Sequence, residues 1–133
     1  MHKKHIGAIL VGGKGKRLRS LTKKKAKPLL PINDREFLDY LIFYISKYNF
    51  KKLYLICSYR HQDFFNKYNN KKILNCKIMC IKEKTPKGTG GALFLLKKFV
   101  KSDFFLFNGD SFFKLDINNF YNFSKNNKNS IIN

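Results

Sequence analysis

The chain has 133 residues, enough for one domain and too few for two ordinary ones, and no stretch of it approaches the roughly 20 consecutive apolar residues of a membrane-spanning helix. Hydrophobic residues make up 44% and aromatics 16%, so a packed core is available. The formal net charge of +20 is spread along the chain, with over-used Lys, Asn, Ile and Phe, so AT-rich coding accounts for it better than a nucleic-acid partner does, although its field would attract smaller polyanions.

The run from His5 to Val11 reads as a buried strand ending at Gly12-Gly13. It is short and leads into a basic loop, not a small-residue cleavage site, so a cytoplasmic protein is expected. The basic loop continues through Lys27-Pro28 to Pro31. Phe37, Leu41, Tyr44, Ile45 and Tyr48 then recur at helical spacing, which predicts an amphipathic helix over Glu36 to Tyr48. A second strand is expected over Lys52 to Ser58 and a short helix over His61 to Tyr68, followed by a turn at Asn69 to Lys72.

The third predicted strand, Lys77 to Glu83, ends before Pro86 and Gly88. Cys76, Ile78 and Cys80 fall on one strand face by their period-two spacing; with Cys57 they make three cysteines, without a companion pair at zinc-site spacing, so buried thiols are expected. Thr89 is placed as the cap of a helix running through Ala92, Leu93, Leu95, Leu96 and Phe99. Phe104 to Phe107 reads as a continuous apolar strand ending at Asn108-Gly109-Asp110. A last helix is expected over Asp116 to Asn127 with Asp116 as N-cap, and Ser130 to Asn133 looks like the start of another strand. Strands alternating with helices predict parallel β-α-β units, a sheet covered on both faces.

In such sheets ligands sit beyond the carboxyl ends of the strands, and the polar, glycine-rich segments fall there. Gly12-Gly13-Lys14-Gly15-Lys16-Arg17 can bring backbone amides close to phosphate oxygens, though it is neither a P-loop nor a full dinucleotide fingerprint, and alone it fits a flexible turn as well. Lys27 is a cation between prolines that restrict its direction, or a solvated loop lysine. Glu83 to Ala92 sets a carboxylate beside a small-residue helix start suited to an anionic or polar ligand. Asp110 ends an apolar strand, where a carboxylate serves as a Mg²⁺ ligand or as a turn former. Tyr59-Arg60 follows the second strand on the same rim.

Taken in order, these four segments resemble the sugar-phosphate nucleotidyltransferases, whose signature is a Gly-Gly-x-Gly-Thr-Arg-Leu loop followed by Lys-Pro. Gly88-Thr89-Gly90-Gly91-Ala92 and Asn108-Gly109-Asp110-Ser111-Phe112-Phe113 look most like the D-glycero-D-manno-heptose 1-phosphate guanylyltransferases. Three positions depart from the pattern: Lys16 replaces threonine, Ser58 a glycine before Tyr59, and Lys87 a leucine. The resemblance implies a Rossmann-like three-layer α/β/α sandwich with a mostly parallel sheet. It also implies transfer of a nucleoside monophosphate, GTP being favoured, to a sugar 1-phosphate of heptose or mannose type, for cell-surface polysaccharide synthesis.

By that resemblance Gly12, Gly13 and Gly15 shape the nucleotide loop, and Arg17 and Lys27 are catalytic. Gly88 admits the base, Glu83 accepts from guanine, and Asp110 holds Mg²⁺. Family members run further and bring most of the sugar pocket and a second metal-binding aspartate, so residues 1–133 are expected to be the N-terminal part of a catalytic domain, truncated at the C-terminus. Two rival readings are an inactive nucleotide-binding fragment and, from charge alone, a basic nucleic-acid-binding domain.

Overall fold

The computed structural model describes residues 3–127 of the chain. The first strand, β1 (His5–Leu10), lies inside a five-stranded sheet, and its composition explains why. Ala8 and Ile9 both have 0% exposure yet belong to cores on opposite faces, so apolar cover is needed on both sides. The basic segment after β1 folds as a 3₁₀ turn (Lys16–Leu18), a short helix α1 (Arg19–Thr22) and a second 3₁₀ turn (Lys27–Leu29). A hairpin of β2 (Pro31–Ile32) and β3 (Arg35–Glu36) then feeds α2 (Phe37–Ser46).

The remaining elements are β4 (Phe50–Cys57), α3 (His61–Tyr68), β5 (Lys72–Ile73), β6 (Cys76–Lys82), α4 (Gly88–Leu96), β7 (Phe105–Asn108) and α5 (Ile117–Asn126). Sheet order is β5-β6-β4-β1-β7; β1 runs parallel to β4 and β7, β4 runs parallel to β6, and β5 joins β6 antiparallel. One face carries Ile9, Leu53, Leu55, Cys57, Ile78 and Cys80 against Leu38, Leu41, Ile42 and Ile45 of α2, Phe64 and Tyr68 of α3 and Ile117 of α5. The other face carries Ala8, Tyr54, Ile56 and Ile81 against Ala92 and Leu96 of α4 and Val100. This is the expected three-layer α/β/α sandwich. Each fully buried Leu or Ile contributes about 1.5–3 kcal/mol relative to exposure, which makes the central strands a stiff platform for what hangs off their ends.

Several local expectations need correction. Thr89 does not cap α4: Lys87 occupies the N-cap position without a side-chain bond, and Gly88, at φ +71°, makes the turn into the helix. Glu83 satisfies an amide there instead, its Oε1 accepting from the Lys87 N–H at 3.3 Å. That helix ends at Leu96, short of Phe99. β4 begins at Phe50, two residues before the expected Lys52, because Phe50 is buried at 2% exposure and pulls the strand back. Both hairpins were invisible in the periodicity, since strands of two residues leave no pattern. Their turns place Asn33 at φ 58° and Leu74 at φ 50°.

Asp116 does cap α5, accepting from the Asn119 N–H at 3.1 Å. The three cysteines are buried free thiols. The strand expected over Ser130 to Asn133 lies outside the described residues. Among the described residues no helix is long and apolar enough to cross a membrane.

Candidate functional site

At the carboxyl ends of β1, β4, β6 and β7 the backbone is stitched together just where the strands stop. Val11 donates to the Ile56 carbonyl at 3.1 Å, Glu83 to that of Cys57 at 2.7 Å and Gly109 to that of Leu10 at 2.9 Å. Segments distant in sequence are thereby held side by side.

A depression of about 420 Å³ opens over the end of β1, within the roughly 300–1,000 Å³ of small-molecule sites. It is lined by Gly12, Gly13, Gly15, Lys16, Arg17, Lys27, Pro28, Asn108 and Asp110, with Leu10 and Val11 as its floor. A second depression, of about 260 Å³, shares Leu10, Gly12 and Gly13 with the first and adds Ser58, Glu83, Pro86, Gly88 and Thr89. The eight residues given a catalytic, nucleotide or metal role in the sequence therefore all line one of two adjoining depressions. Arg17, Lys27 and Asp110 stand in the first, Glu83 and Gly88 in the second, and the glycine loop forms the wall between them. Tyr59 and Arg60 line neither: Arg60 sits at φ 52° at the N-cap of α3, and its guanidinium is held by Asp63 at 2.6 Å.

The glycines differ in what the fold asks of them. Gly15 (φ 57°) and Gly88 (φ 71°) take left-handed backbone conformations that disfavour side chains. Gly109 is sterically locked: a Cβ there would lie 2.6 Å from the Leu10 carbonyl oxygen and 2.7 Å from Val11 Cγ1. Gly13 has no atom within 4 Å of a would-be Cβ, so the surrounding protein does not require glycine there.

Lys27 Nζ and Asp110 Oδ2 are 2.9 Å apart, joining residues 83 positions apart across the first depression. Ala26, Pro28 and Leu29, all buried, fix the turn that presents Lys27. The hydrogen bond from the Lys27 ammonium holds the Asp110 carboxyl below its ordinary 3.8 against the opposing effect of burial, and Ser111 Oγ donates to the other oxygen at 3.1 Å. Asp110 is thus an ionised, half-exposed carboxylate already bonded to a cation. Among the described residues there is no group of three or more His, Cys, Asp or Glu side chains that could cage a metal ion. A lone carboxylate suits an ion that keeps its water and shares its charge with phosphates, which is the habit of Mg²⁺.

Lys16, Arg17 and Lys27 share the depression with this carboxylate. The first acidic residue of the chain is Asp34, so the whole glycine-loop segment is free of carboxylates. Lys14, Lys16, Arg17 and Lys23 to Lys25 are exposed on it. The field over the depression is positive and suits a polyanion.

Sequence reasoning missed what Ser58 does: its hydroxyl donates to the Gly12 carbonyl at 2.7 Å, tying β4 to the glycine loop. The pattern departure at Ser58 was legible, but its partner was not, because the pairing of β1 with β4 is a tertiary fact.

Comparison with known proteins identifies a family. The Nucleotidyl transferase family model matches residues 6–133. The D-glycero-alpha-D-manno-heptose 1-phosphate guanylyltransferase of Campylobacter jejuni is 41% identical over 109 residues, covering 82% of this chain and 49% of the relative. The enzyme of the same name from Aneurinibacillus thermoaerophilus is 37% identical over 114 residues, covering 82% and 47%. The crystal structure of HddC from Yersinia pseudotuberculosis complexed with GMP-PN superimposes with a TM-score of 0.80 at 30% identity, covering 90% of this chain and 54% of that one. The chain spans about half the length of the two guanylyltransferases. It belongs to the Nucleotidyl transferase family.

Proposed function

We propose that this family member carries the nucleotide-handling part of a cytoplasmic sugar-1-phosphate nucleotidyltransferase, with GTP as the nucleotide and a heptose or mannose 1-phosphate as the acceptor. The observation that carries the reading is the meeting of Gly12, Gly13, Gly15, Arg17, Lys27 and Asp110 on one depression, next to a lobe holding Glu83 and Gly88. The chemistry follows from charge. A phosphate oxygen of the sugar 1-phosphate attacks the α-phosphorus, a new P–O bond forms, the bond to the bridging oxygen breaks, and pyrophosphate leaves with the electron pair. The nucleophile is already anionic, so no general base is needed and catalysis rests on positioning and charge neutralisation.

Arg17 would meet the triphosphate and the departing pyrophosphate, and the glycine-loop amides the other phosphate oxygens. Lys27, now paired with Asp110, would turn to the reacting phosphates. Asp110 would hold Mg²⁺, whose contribution is to neutralise phosphate charge. In the second lobe the Glu83 carboxylate would accept from the N1–H and N2–H₂ donors of guanine, groups that adenine does not present in that pattern, and Gly88 would let the base lie against backbone.

The test is equilibrium binding of GTP, ATP and CTP with Mg²⁺, together with pyrophosphate release when heptose or mannose 1-phosphate is added. Binding that prefers GTP and weakens on Glu83→Gln supports the assignment; no nucleotide binding refutes it. A second reading, an inactive nucleotide-binding chain, is favoured by the lone carboxylate at the depression. Saturable GTP binding without pyrophosphate release selects it, whereas release at roughly 1 per second or faster rejects it.

A further inference from the structure

We infer that Ser58 is a positioning residue that aims the Gly13 amide at a phosphate of the bound nucleotide; the inference rests on the reading of the depression as a nucleotide site. The backbone ladder between β1 and β4 makes its last bond from Val11 N–H to the Ile56 carbonyl, at 3.1 Å. Just beyond it, Ser58 Oγ donates to the Gly12 carbonyl at 2.7 Å. Ser58 is itself fixed, since its carbonyl accepts from the His61 N–H at 3.2 Å where α3 begins. The hydroxyl thus ties a glycine loop with little side-chain anchoring of its own to a strand end and a helix start.

The consequence passes through one peptide plane. The Gly12–Gly13 peptide is planar and trans, so its N–H points opposite to its C=O. With the Gly12 carbonyl drawn to Ser58, the Gly13 N–H is turned away from it. Without the hydroxyl, the two glycines leave that plane free to rotate. Gly12 is also confined: a Cβ there would stand 2.5 Å from Ser58 Oγ, so only glycine allows this approach.

The experiment measures binding of Mg²⁺·GTP and of guanosine, by amide NMR titration, to the wild-type chain and to Ser58→Ala and Ser58→Thr. Loss of one orienting hydrogen bond is expected to weaken GTP about fivefold in Ser58→Ala, which is about 1 kcal/mol. Guanosine, which lacks the phosphates, should weaken far less than GTP although Ser58 also lines the second depression, and Ser58→Thr, which keeps the hydroxyl, should stay close to wild type. The Gly13 amide should shift on adding GTP in the wild type and in Ser58→Thr but not in Ser58→Ala. Equal GTP affinity in Ser58→Ala, an equal loss for guanosine, or a Gly13 amide that never responds overturns the inference. Failure of the wild-type chain to bind GTP at all refutes the nucleotide reading itself and is distinct from these outcomes. A Ser58→Ala chain with altered amide signals throughout would show a folding role and likewise overturn it.

Discussion

Gly109→Ala tests whether Asp110 is placed by the sheet or merely lies near the loop. Gly109 is buried, and its added Cβ would sit 2.6 Å from the Leu10 carbonyl oxygen and 2.7 Å from Val11 Cγ1, where ordinary contact begins at 3.4 Å. The Leu10 oxygen is backbone in a strand paired on both sides, so it cannot yield as a flexible side chain would. The 109–110 segment must therefore recede by several tenths of an ångström, which strains the 2.9 Å bond from Gly109 N–H to Leu10. Overpacking of this kind costs about 1–3 kcal/mol.

The displacement passes directly to Asp110, the next residue, and should lengthen its 2.9 Å contact with Lys27. A misplacement of that order at a reacting centre lowers rate by up to about a hundredfold, so activity should suffer more than stability. Urea unfolding measures the first quantity. Pyrophosphate release, or Mg²⁺-dependent GTP affinity where release is absent, measures the second. A variant as stable as the parent with unchanged Mg²⁺-dependent binding would refute both the steric argument and the placement of Asp110.

Lys27→Met should return the Asp110 carboxyl toward its ordinary 3.8, followed by carboxyl ¹³C shifts; an unmoved titration would show the ion pair does not persist in solution. The sign is fixed: a depressed carboxyl lends stability above its unfolded value and loses it as pH falls through the folded one, so parent and variant should converge well below pH 3.8 and differ above it. Arg17→Ala should lower turnover by about a hundredfold or more in an active enzyme carrying this segment, with a smaller change in KM, and an unchanged turnover number would remove Arg17 from the mechanism. Tyr68→Phe should cost about 1–2 kcal/mol in urea, because the buried phenol donates to Asp39 Oδ1 at 2.7 Å, and no change would show that Lys67 alone satisfies that carboxylate. The thiols should resist Ellman's reagent at pH 8 until the chain unfolds, since hydrogen bonding with the Cys80 thiol and burial push Cys57 up and burial pushes Cys76 up to about 11; rapid native reaction would contradict their burial.

The elements that could be read from sequence are those whose information is local. β1 is apolar on both faces, β6 alternates its buried positions at Cys76, Ile78 and Cys80, α2 repeats its buried positions at Leu38, Leu41, Ile42 and Ile45, and Asp116 caps the helix it precedes. The glycine loop, Lys27, Glu83, Gly88 and Asp110 could be nominated because a polar or glycine residue ending an apolar strand falls on the ligand side of a parallel sheet. What could not be read depends on pairing between distant segments. The Lys27–Asp110 contact requires β7 to lie beside β1, and the Ser58–Gly12 bond requires β4 on its other side. Thr89 failed as a cap because the positive φ of Gly88 starts the helix by backbone alone, a choice that side-chain preference does not reveal.

The place of β1 within the sheet also governs how the chain is made. Leu10 pairs with Ile56 on one side and Asn108 on the other, so on the ribosome this apolar strand is complete long before either neighbour has been synthesised. Until then its ladder groups are unpaired and open to association with other chains. The segment following it, from Lys14 to Lys27, carries no carboxylate to offset its cations. Nascent chains bearing it repel one another, and the same charge guards an unfinished sheet.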